Sequence, residues 1–215
     1  MAVKAQFYAQ LADQTARQIT GSYRAWTAFL TTAARLYKYP YHEQLMIYAQ
    51  RPEATACAEY DFWNQRMGRY VRRGAKGIAL VDSRGGRPRL RYVFDVADTG
   101  GGEQARRPYL WQLQPEYDPT VRQALEDAFG VDGAQALPDQ LEELSEQLAA
   151  DYWAEHQGEI LAIIDGSFLE EYDAFNIGAA FRSAAGVSIA YTLLSRCGLE
   201  PERYLTHEDF SLPAP

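Results

Sequence analysis

Positions that recur every three or four residues predict three helices in the first 50 residues. The face of the first helix consists of Phe7, Leu11, Thr15 and Ile19. Ser22 is a suitable cap for the second helix. Its stripe, which we expect to pack in a core, consists of Trp26, Phe29, Leu30, Ala33 and Tyr37. A short third helix, His42–Gln50, is expected to end before Pro52, with Leu45, Met46 and Ala49 facing the same core.

A short helix and three strands follow. Asp61 is expected to cap the helix DFWNQRM and Gly68 to end it, with Trp63 and Arg66 on one face. Residues 69–73, 78–81 and 89–96 instead have the two-residue alternation and the composition of β-strands. Sequences typical of turns separate them. We predict a small antiparallel meander. In its last strand, Leu90, Tyr92, Phe94 and Val96 are expected to pack, and Arg89, Arg91, Val93 and Asp95 to face solvent.

The second half of the chain is predicted to be helical. Residues 98–104 (DTGGGEQ) have the composition of a flexible linker, and 106–115 are expected to be connecting chain. Helices are expected to begin near Asp118 and at Pro138, to break at Gly130 and Gly158, and to continue over 167–182 and 187–197 before Gly198. The predicted fold class is α+β, with amino-terminal helices and a small meander in a domain of residues 1–97, and a mostly helical domain of residues 105–215.

The composition is that of a folded protein. The chain has 215 residues, of which 47% are hydrophobic and 23% charged. A continuous run of about 18 apolar residues is absent, and the start lacks the layout of a secretory signal, so we expect no membrane association. Two cysteines 140 positions apart predict no disulfide framework. A reducing, cytoplasmic location is therefore expected.

Charge is distributed very unevenly along the chain. Residues 1–95 carry 15 Lys and Arg against 7 Asp and Glu, whereas residues 96–215 carry 6 against 22. The net charges are therefore +8 and −16. The densest basic run contains Arg66, Arg69, Arg72, Arg73, Lys76, Arg84, Arg87, Arg89 and Arg91, with Asp82 as its single acid. This run predicts a basic patch, and the alternative is a strand edge that charge merely keeps solvated.

The common catalytic patterns are missing. His42, His156 and His207 stand far apart and outside any His-Glu-x-x-His helix, so a zinc hydrolase lacks its ligands. Gly100–Gly102 lacks the lysine of a phosphate-binding loop. Cys57 and Cys197 have no neighbouring histidine or Cys-x-x-Cys partner, and the acidic run at 170–173 is typical of a solvated helix face. We therefore expect no enzymatic activity, no cofactor and no metal.

Aromatic residues are interleaved with the basic ones. Single-stranded nucleic acid is bound by a positive groove for its phosphates together with aromatic rings on which its bases stack. The aromatic residues of this region are Tyr60, Phe62, Trp63, Tyr70 and Tyr92. Trp63 is either a stacking platform or the anchor of its short helix, and the two roles do not exclude each other.

The segment from Tyr39 to Val81 resembles the amino-terminal domain of the ArdC-type antirestriction proteins of plasmids and conjugative elements. The matching positions are Gln50, Pro52, Trp63, Gly68, Arg69, Val71, Arg73, Gly74, Lys76, Gly77 and Ile78. The resemblance covers about 60 residues well. It implies single-stranded DNA binding, which protects incoming strands during transfer. ArdC-type proteins also carry a metallopeptidase-like domain with a His-Glu-x-x-His helix, and this chain has no such motif.

These observations predict a non-enzymatic, sequence-independent, single-stranded DNA-binding module of a mobile element. Trp63 and Tyr70 are the expected stacking residues, and Gly74 and Gly77 are expected to let the strand approach the backbone. The expected phosphate contacts are Arg66, Arg69, Arg72, Arg73, Lys76, Arg89 and Arg91. Two alternatives remain open. In the first, the acidic half mimics DNA or docks on a basic partner such as a restriction or DNA-processing protein, or it covers the basic patch of the same chain and so tunes access to DNA. In the second, the chain is a degenerate metallopeptidase relative.

Overall fold

The computed structural model describes residues 2–82, 89–109, 111–167 and 169–211. The chain divides into two compact units, Met1–Trp111 and Gln112–Pro215. The first unit combines helices with short antiparallel strands, and the second is helical. The α+β class expected from the sequence is therefore confirmed. The turn predicted at residues 82–88 falls almost entirely outside the described residues, as do Arg84 and Arg87.

Three helices begin the first unit, at α1 (Ala2–Ile19), α2 (Tyr23–Arg35) and α3 (Tyr41–Gln50). Ser22 caps α2 as predicted, because its hydroxyl accepts a hydrogen bond from the Ala25 N–H at 3.2 Å. Of the predicted stripe, Phe29, Leu30 and Ala33 are buried and Trp26 is half-buried. Tyr37 is 54% exposed, because α2 ends two residues before it.

The strands form two sheets instead of one meander. The larger sheet has the order β1 (Cys57–Glu59), β4 (Arg89–Asp95), β3 (Ile78–Asp82), with antiparallel pairing throughout. The smaller sheet pairs β2 (Arg69–Val71) with β5 (Thr99–Gly101), in the register Tyr70 to Gly100. β3 and β4 pair as predicted, but the meander prediction is wrong for β2, which pairs with a strand about 30 residues later in the chain. Local patterns carry no information about such a partner.

The two faces of β4 are reversed relative to the prediction. Val93 is 0% exposed and Asp95 2%, whereas Tyr92 is 46% exposed. The helices α1 and α3 pack against β3, and so bury the Val93 face of the sheet. The core on this face contains Leu36, Met46, Ile47, Ala54, Ile78, Leu80 and Val93. Alternation fixes which residues share a face, but the helices decide which face is buried.

The predicted linker is part of the first unit. Thr99 is 1% exposed, and Gly100 and Gly101 pair with β2. The Arg106 N–H donates to the Met67 carbonyl at 2.8 Å, which holds the following segment against the same unit. The first unit therefore extends to Trp111 and not to residue 97.

Gln50, the last residue of α3, pairs with β3 as another strand would. Its side-chain amide donates to the Ala79 carbonyl and accepts from the Ala79 N–H, both at 2.9 Å. The Thr32 hydroxyl donates to the Pro52 carbonyl at 2.6 Å, which fixes the chain beyond α3. The amide of Gln50 therefore satisfies the backbone groups at this part of the free edge of β3, where a charged side chain was the expected protection.

The second unit contains three helices, α4 (Asp118–Phe129), α5 (Leu137–Ile164) and α6 (Ala174–Cys197). Gly130 and Gly198 end α4 and α6 in the left-handed conformation, as predicted. Gly158 does not break α5, because a helical glycine costs only about 1 kcal/mol and the packing of α5 on α6 offsets it. The two helices predicted over 167–197 are a single helix that begins at Ala174.

By length and composition, α6 is apolar enough to cross a membrane. It is not a continuous apolar run, because Asn176 and Arg182 interrupt it. Apolar helices of this length are also found in the cores of soluble proteins. In this structure α6 packs along α5, and Gly178, Gly186, Ala190, Tyr191 and Leu194 are buried.

Candidate nucleic-acid interface

The sheet of β2 and β5 presents Tyr70 to solvent. A Cβ atom at Gly100 would stand 2.7 Å from the Tyr70 ring, so the ring lies directly on the Gly100 backbone. Tyr70 is nevertheless 59% exposed. The glycine-rich sequence that resembles a linker therefore provides a flat backbone on which one side of an aromatic ring rests, while much of the ring stays accessible.

A tight turn carries the chain from β2 to β3. The Ala75 N–H donates to the Arg72 carbonyl at 3.1 Å, and Gly74 has φ +87°, as at the third position of type II turns. A Cβ at Gly74 would meet no atom within 4 Å, so backbone conformation and not space explains this glycine. The Arg72 N–H donates to the Asp98 carbonyl at 2.8 Å, which anchors the turn to the 3₁₀ turn Val96–Asp98.

Exposed cations lie on this turn and at the opposite end of β2. Arg66, Arg72, Arg73 and Lys76 are exposed, and within the described part of the chain none of them forms a salt bridge. The Arg72 guanidinium donates to the Ala97 carbonyl at 3.2 Å, so this side chain is oriented but keeps its charge unneutralised. Unpaired guanidinium and ammonium groups on a turn are available to an external anion.

Arg106 is a residue that the sequence analysis missed. It is exposed, and its N–H bond to the Met67 carbonyl places it beside the residue that follows Arg66. Its signal in the sequence is the basic pair at 106–107, and the glycines before this pair make the segment resemble a linker followed by connecting chain. We define the β2–β5 basic surface as Arg66, Tyr70, Arg72, Arg73, Lys76 and Arg106.

Arg89 lies at a distance from the turn. It pairs with Asp82 at the far end of β3, whereas the turn precedes Ile78. Four residue steps along a strand span about 13 Å. Arg89 is exposed and, among the described residues, without a salt bridge, so it is a second cationic position on the same unit.

Trp63 is not available for base stacking in this fold. It is 1% exposed, and its indole N–H donates to the Phe94 carbonyl at 2.8 Å. The segment Phe62–Arg66 is a π-helical turn, closed by the Met67 N–H to the Phe62 carbonyl, and Asp61 makes no side-chain cap. The wider turn separates Trp63 from Arg66, which is exposed, so the expected shared face is also wrong.

Arg91 is a structural residue and not a free phosphate contact. Its guanidinium donates to both carboxylate oxygens of Glu43 at 2.6 Å and to Glu59 at 3.2 Å. Glu43 comes from α3 and is 8% exposed. Burial lowers the pKa of Arg91, and the hydrogen bond and charge of Glu43 more than offset this, so that the pKa is raised. An anion would have to compete with two carboxylates that are already in place.

Arg69 and Gly77 also have structural roles. The Arg69 guanidinium donates to the Thr99 hydroxyl at 2.7 Å and is half-buried, so it ties β2 to β5. A Cβ at Gly77 would stand 3.1 Å from Tyr92 and Phe94, so the absence of a side chain serves their packing. Neither residue needs a nucleic-acid strand to explain it.

Asp95 is the centre of a buried hydrogen-bond network. Its carboxylate accepts from the N–H groups of Thr55 at 2.7 Å, Ala56 at 3.0 Å and Ala97 at 2.9 Å. Burial and the charge of Asp95 raise the pKa of the nearby Cys57 thiol to about 12. Such a thiol is not a nucleophile at neutral pH. The described residues contain no group of three or more metal-type ligands.

Comparison of the chain with family models, with curated proteins and with solved structures finds no match. The resemblance to ArdC-type proteins therefore stays a prediction that depends on the quoted motif. In this structure several motif residues build the fold: Gln50 pairs with β3, Trp63 anchors on β4, and Gly68 has φ +61°. Arg73 and Gly74 are the motif residues in the exposed turn, and Lys76 follows it directly.

Proposed function

We propose that the first unit binds single-stranded DNA without base specificity, as a non-enzymatic module of a mobile-element protein. The observation that carries this proposal is the β2–β5 basic surface, where exposed and unpaired cations stand around a supported, half-exposed tyrosine. Phosphate contacts and base stacking are the two components of sequence-independent single-strand binding. The resemblance of residues 39–81 to the ArdC-type domain supports the mobile-element context.

A single strand fits this surface better than a duplex does. The cations stand on a turn, on short strands and at the end of a π-helical turn, so no long helix presents them to a major groove. Stacking on Tyr70 requires an unpaired base whose face is free, and such stacking contributes about 1 to 3 kcal/mol per base. Because the chain as a whole carries a net charge of −8, DNA is expected to bind only where cations are locally concentrated, at the β2–β5 basic surface.

The test is fluorescence anisotropy with a labelled oligothymidine and a matched duplex over a series of salt concentrations. The wild-type chain should bind the single strand more tightly, with an affinity that falls steeply with salt. Each phosphate contact contributes about 0.7 to the logarithmic salt slope for single strands. The variant Arg73→Ala, Lys76→Ala, Arg106→Ala should therefore lower that slope by about 2.

A matched control removes the same charge from another part of the unit. Lys4, Arg17 and Arg24 are exposed on α1 and α2, so Lys4→Ala, Arg17→Ala, Arg24→Ala changes the net charge equally. The control should keep the wild-type slope to within about 0.5. Equal losses in both variants would reduce the binding to a general charge effect, and unchanged slopes in both would remove the β2–β5 basic surface from the interface.

A further inference from the structure

A second tyrosine of the first unit, like Tyr70, is accessible to solvent and lies against a glycine of the main chain. Tyr92 lies in β4 and is 46% exposed. Side chains alternate along a strand, so Leu90, Tyr92 and Phe94 share the face opposite to Val93. The helices α1 and α3 bury the Val93 face. The Tyr92 ring is therefore accessible on the face that these helices leave open.

The backbone at Gly77 supports the Tyr92 side chain. A Cβ atom at Gly77 would stand 3.1 Å from the Tyr92 Cβ and 3.2 Å from its ring atom Cδ1. At Tyr70 the far end of the ring lies on Gly100, whereas at Tyr92 the base of the ring lies on Gly77. Contact with the main chain limits the rotation of each ring. A ring that is held in place before binding loses less conformational entropy when a base stacks on it.

Gly77 connects this ring to the exposed cations. Lys76 is the residue before Gly77, so the Cα atoms of the two residues are about 3.8 Å apart. Lys76 is exposed and precedes β3, and its flexible four-carbon stem lets the ammonium group reach a phosphate on either side of the chain. A cation for a phosphate and an aromatic ring for a base therefore lie next to each other around Gly77.

A single oligonucleotide is long enough to reach both tyrosines. The turn brings the Cα atoms of Arg72 and Ala75 to within about 7 Å, and two extended residues on either side add at most about 7 Å each. Tyr70 and Gly77 are therefore separated by no more than about 21 Å. A strand of about 12 nucleotides, at about 3.4 Å per nucleotide, spans about 40 Å. The chain between the two positions is the turn that carries the exposed cations.

We propose that Tyr92 is a second base-stacking residue, and that the strand that stacks on Tyr70 continues past Lys76 and stacks a further base on Tyr92. The inference rests on the proposed single-strand binding and adds to it a contact on the three-stranded sheet. Base stacking on aromatic rings tolerates any sequence, because every base has a π-face. The binding site therefore extends from the β2–β5 basic surface onto β4.

The experiment titrates the full chain against a labelled oligothymidine of about 12 nucleotides in fluorescence anisotropy. Tyr92→Leu keeps an apolar side chain over Gly77 but removes the aromatic face, so it should weaken binding about fivefold or more. Tyr92→Phe keeps that face and should bind within about twofold of the wild type. Tyr37→Leu, at a tyrosine that is 54% exposed beyond α2, is the matched control and should leave affinity unchanged.

The salt dependence separates stacking from a disturbed fold. Stacking releases no counterions, so Tyr92→Leu should keep the wild-type salt slope, whereas the loss of a phosphate contact lowers it. A slope lowered by about 1 or more in Tyr92→Leu would mean that the substitution displaces the cationic turn, and this result would overturn the stacking role. An equal loss of affinity in Tyr92→Phe would overturn it as well, because the aromatic face would then be irrelevant.

Photocrosslinking tests the contact without any substitution. Oligothymidines that carry one 5-iodouracil at successive positions should crosslink to Tyr92 and, from a different position, to Tyr70, as located by mass spectrometry. Crosslinks to Tyr70 without any to Tyr92, or full affinity in Tyr92→Leu, would overturn this inference and leave the proposed function in place. Failure of the wild-type chain to bind the single strand would overturn both.

Discussion

The buried face of β4 and the β2–β5 basic surface both contain arginines from the basic run of residues 66–91. The two groups differ in whether carboxylates lie beside them. Arg91 meets two carboxylates, one of them buried. Arg73 and Lys76 form no salt bridge with a carboxylate among the described residues. A cluster of cations in a sequence therefore divides into structural and available members according to what the fold places beside each one.

The largest effect should come from removing the structural cation. Arg91→Ala leaves Glu43 buried without its partner and should destabilise the first unit by about 3 kcal/mol. Urea unfolding followed by circular dichroism measures this. Arg89→Ala, two positions away on the same strand but exposed, should change stability by less than about 0.5 kcal/mol. Equal effects of the two substitutions would break the distinction between the two groups.

Trp63 tests the distinction between structural residues and residues available to DNA for the aromatic side chains. Trp63→Phe removes the indole donor to the Phe94 carbonyl and leaves a small cavity, so we expect a destabilisation of about 2 kcal/mol. The folded protein should bind DNA with wild-type affinity. A tenfold loss of affinity at unchanged stability would instead return Trp63 to the interface.

Tyr70 should behave in the opposite way. Tyr70→Ser removes an exposed ring, so unfolding should be nearly unaffected while single-strand affinity falls by about 1 kcal/mol, or fivefold, in anisotropy. Tyr37→Ser, at a tyrosine of similar exposure beyond α2, is the control and should leave affinity unchanged. If the two variants lost affinity equally, the contact with Gly100 would have no special role.

The smallest effect concerns the thiols. With pKa values raised by burial to about 12 for Cys57 and about 11 for Cys197, less than about one thiol in 500 is ionised at pH 8. Iodoacetamide should label neither residue within an hour in the folded chain and both within minutes in urea, as followed by mass spectrometry. Rapid labelling of Cys57 in the native protein would mean that the network around Asp95 opens readily.

Local features of the fold could be predicted from the sequence, and pairings between distant segments could not. Ser22, Gly68, Gly130 and Gly198 mark helix ends by their own chemistry, and each does so in the structure. The pairing of β2 with β5 joins residues about 30 positions apart. The glycines of β5 resemble a linker because their function, room for Tyr70 and Ala105, depends on residues elsewhere in the chain.

The candidate site was predictable in part for the same reason. The turn that contains Arg73 and Gly74 is local, and the sequence predicts it together with Lys76, which follows it directly. The choice of the buried face of β4 depends on α1 and α3, so Arg91 was assigned to solvent although α3 supplies its carboxylate. Arg106 was missed because its neighbour Met67 is 39 positions earlier.

The anchored turn at Arg72–Ala75 has thermodynamic implications for binding. Its hydrogen bonds to Asp98 and Ala97 restrict the backbone and the Arg72 side chain before any strand arrives. A loop that orders only on contact loses about 1 to 2 kcal/mol of conformational entropy per residue, whereas this turn loses that freedom during folding. Calorimetry should therefore give a nearly constant binding entropy when Gly74 is replaced by a rigid D-alanine, a residue whose preferred φ is the one that Gly74 already adopts.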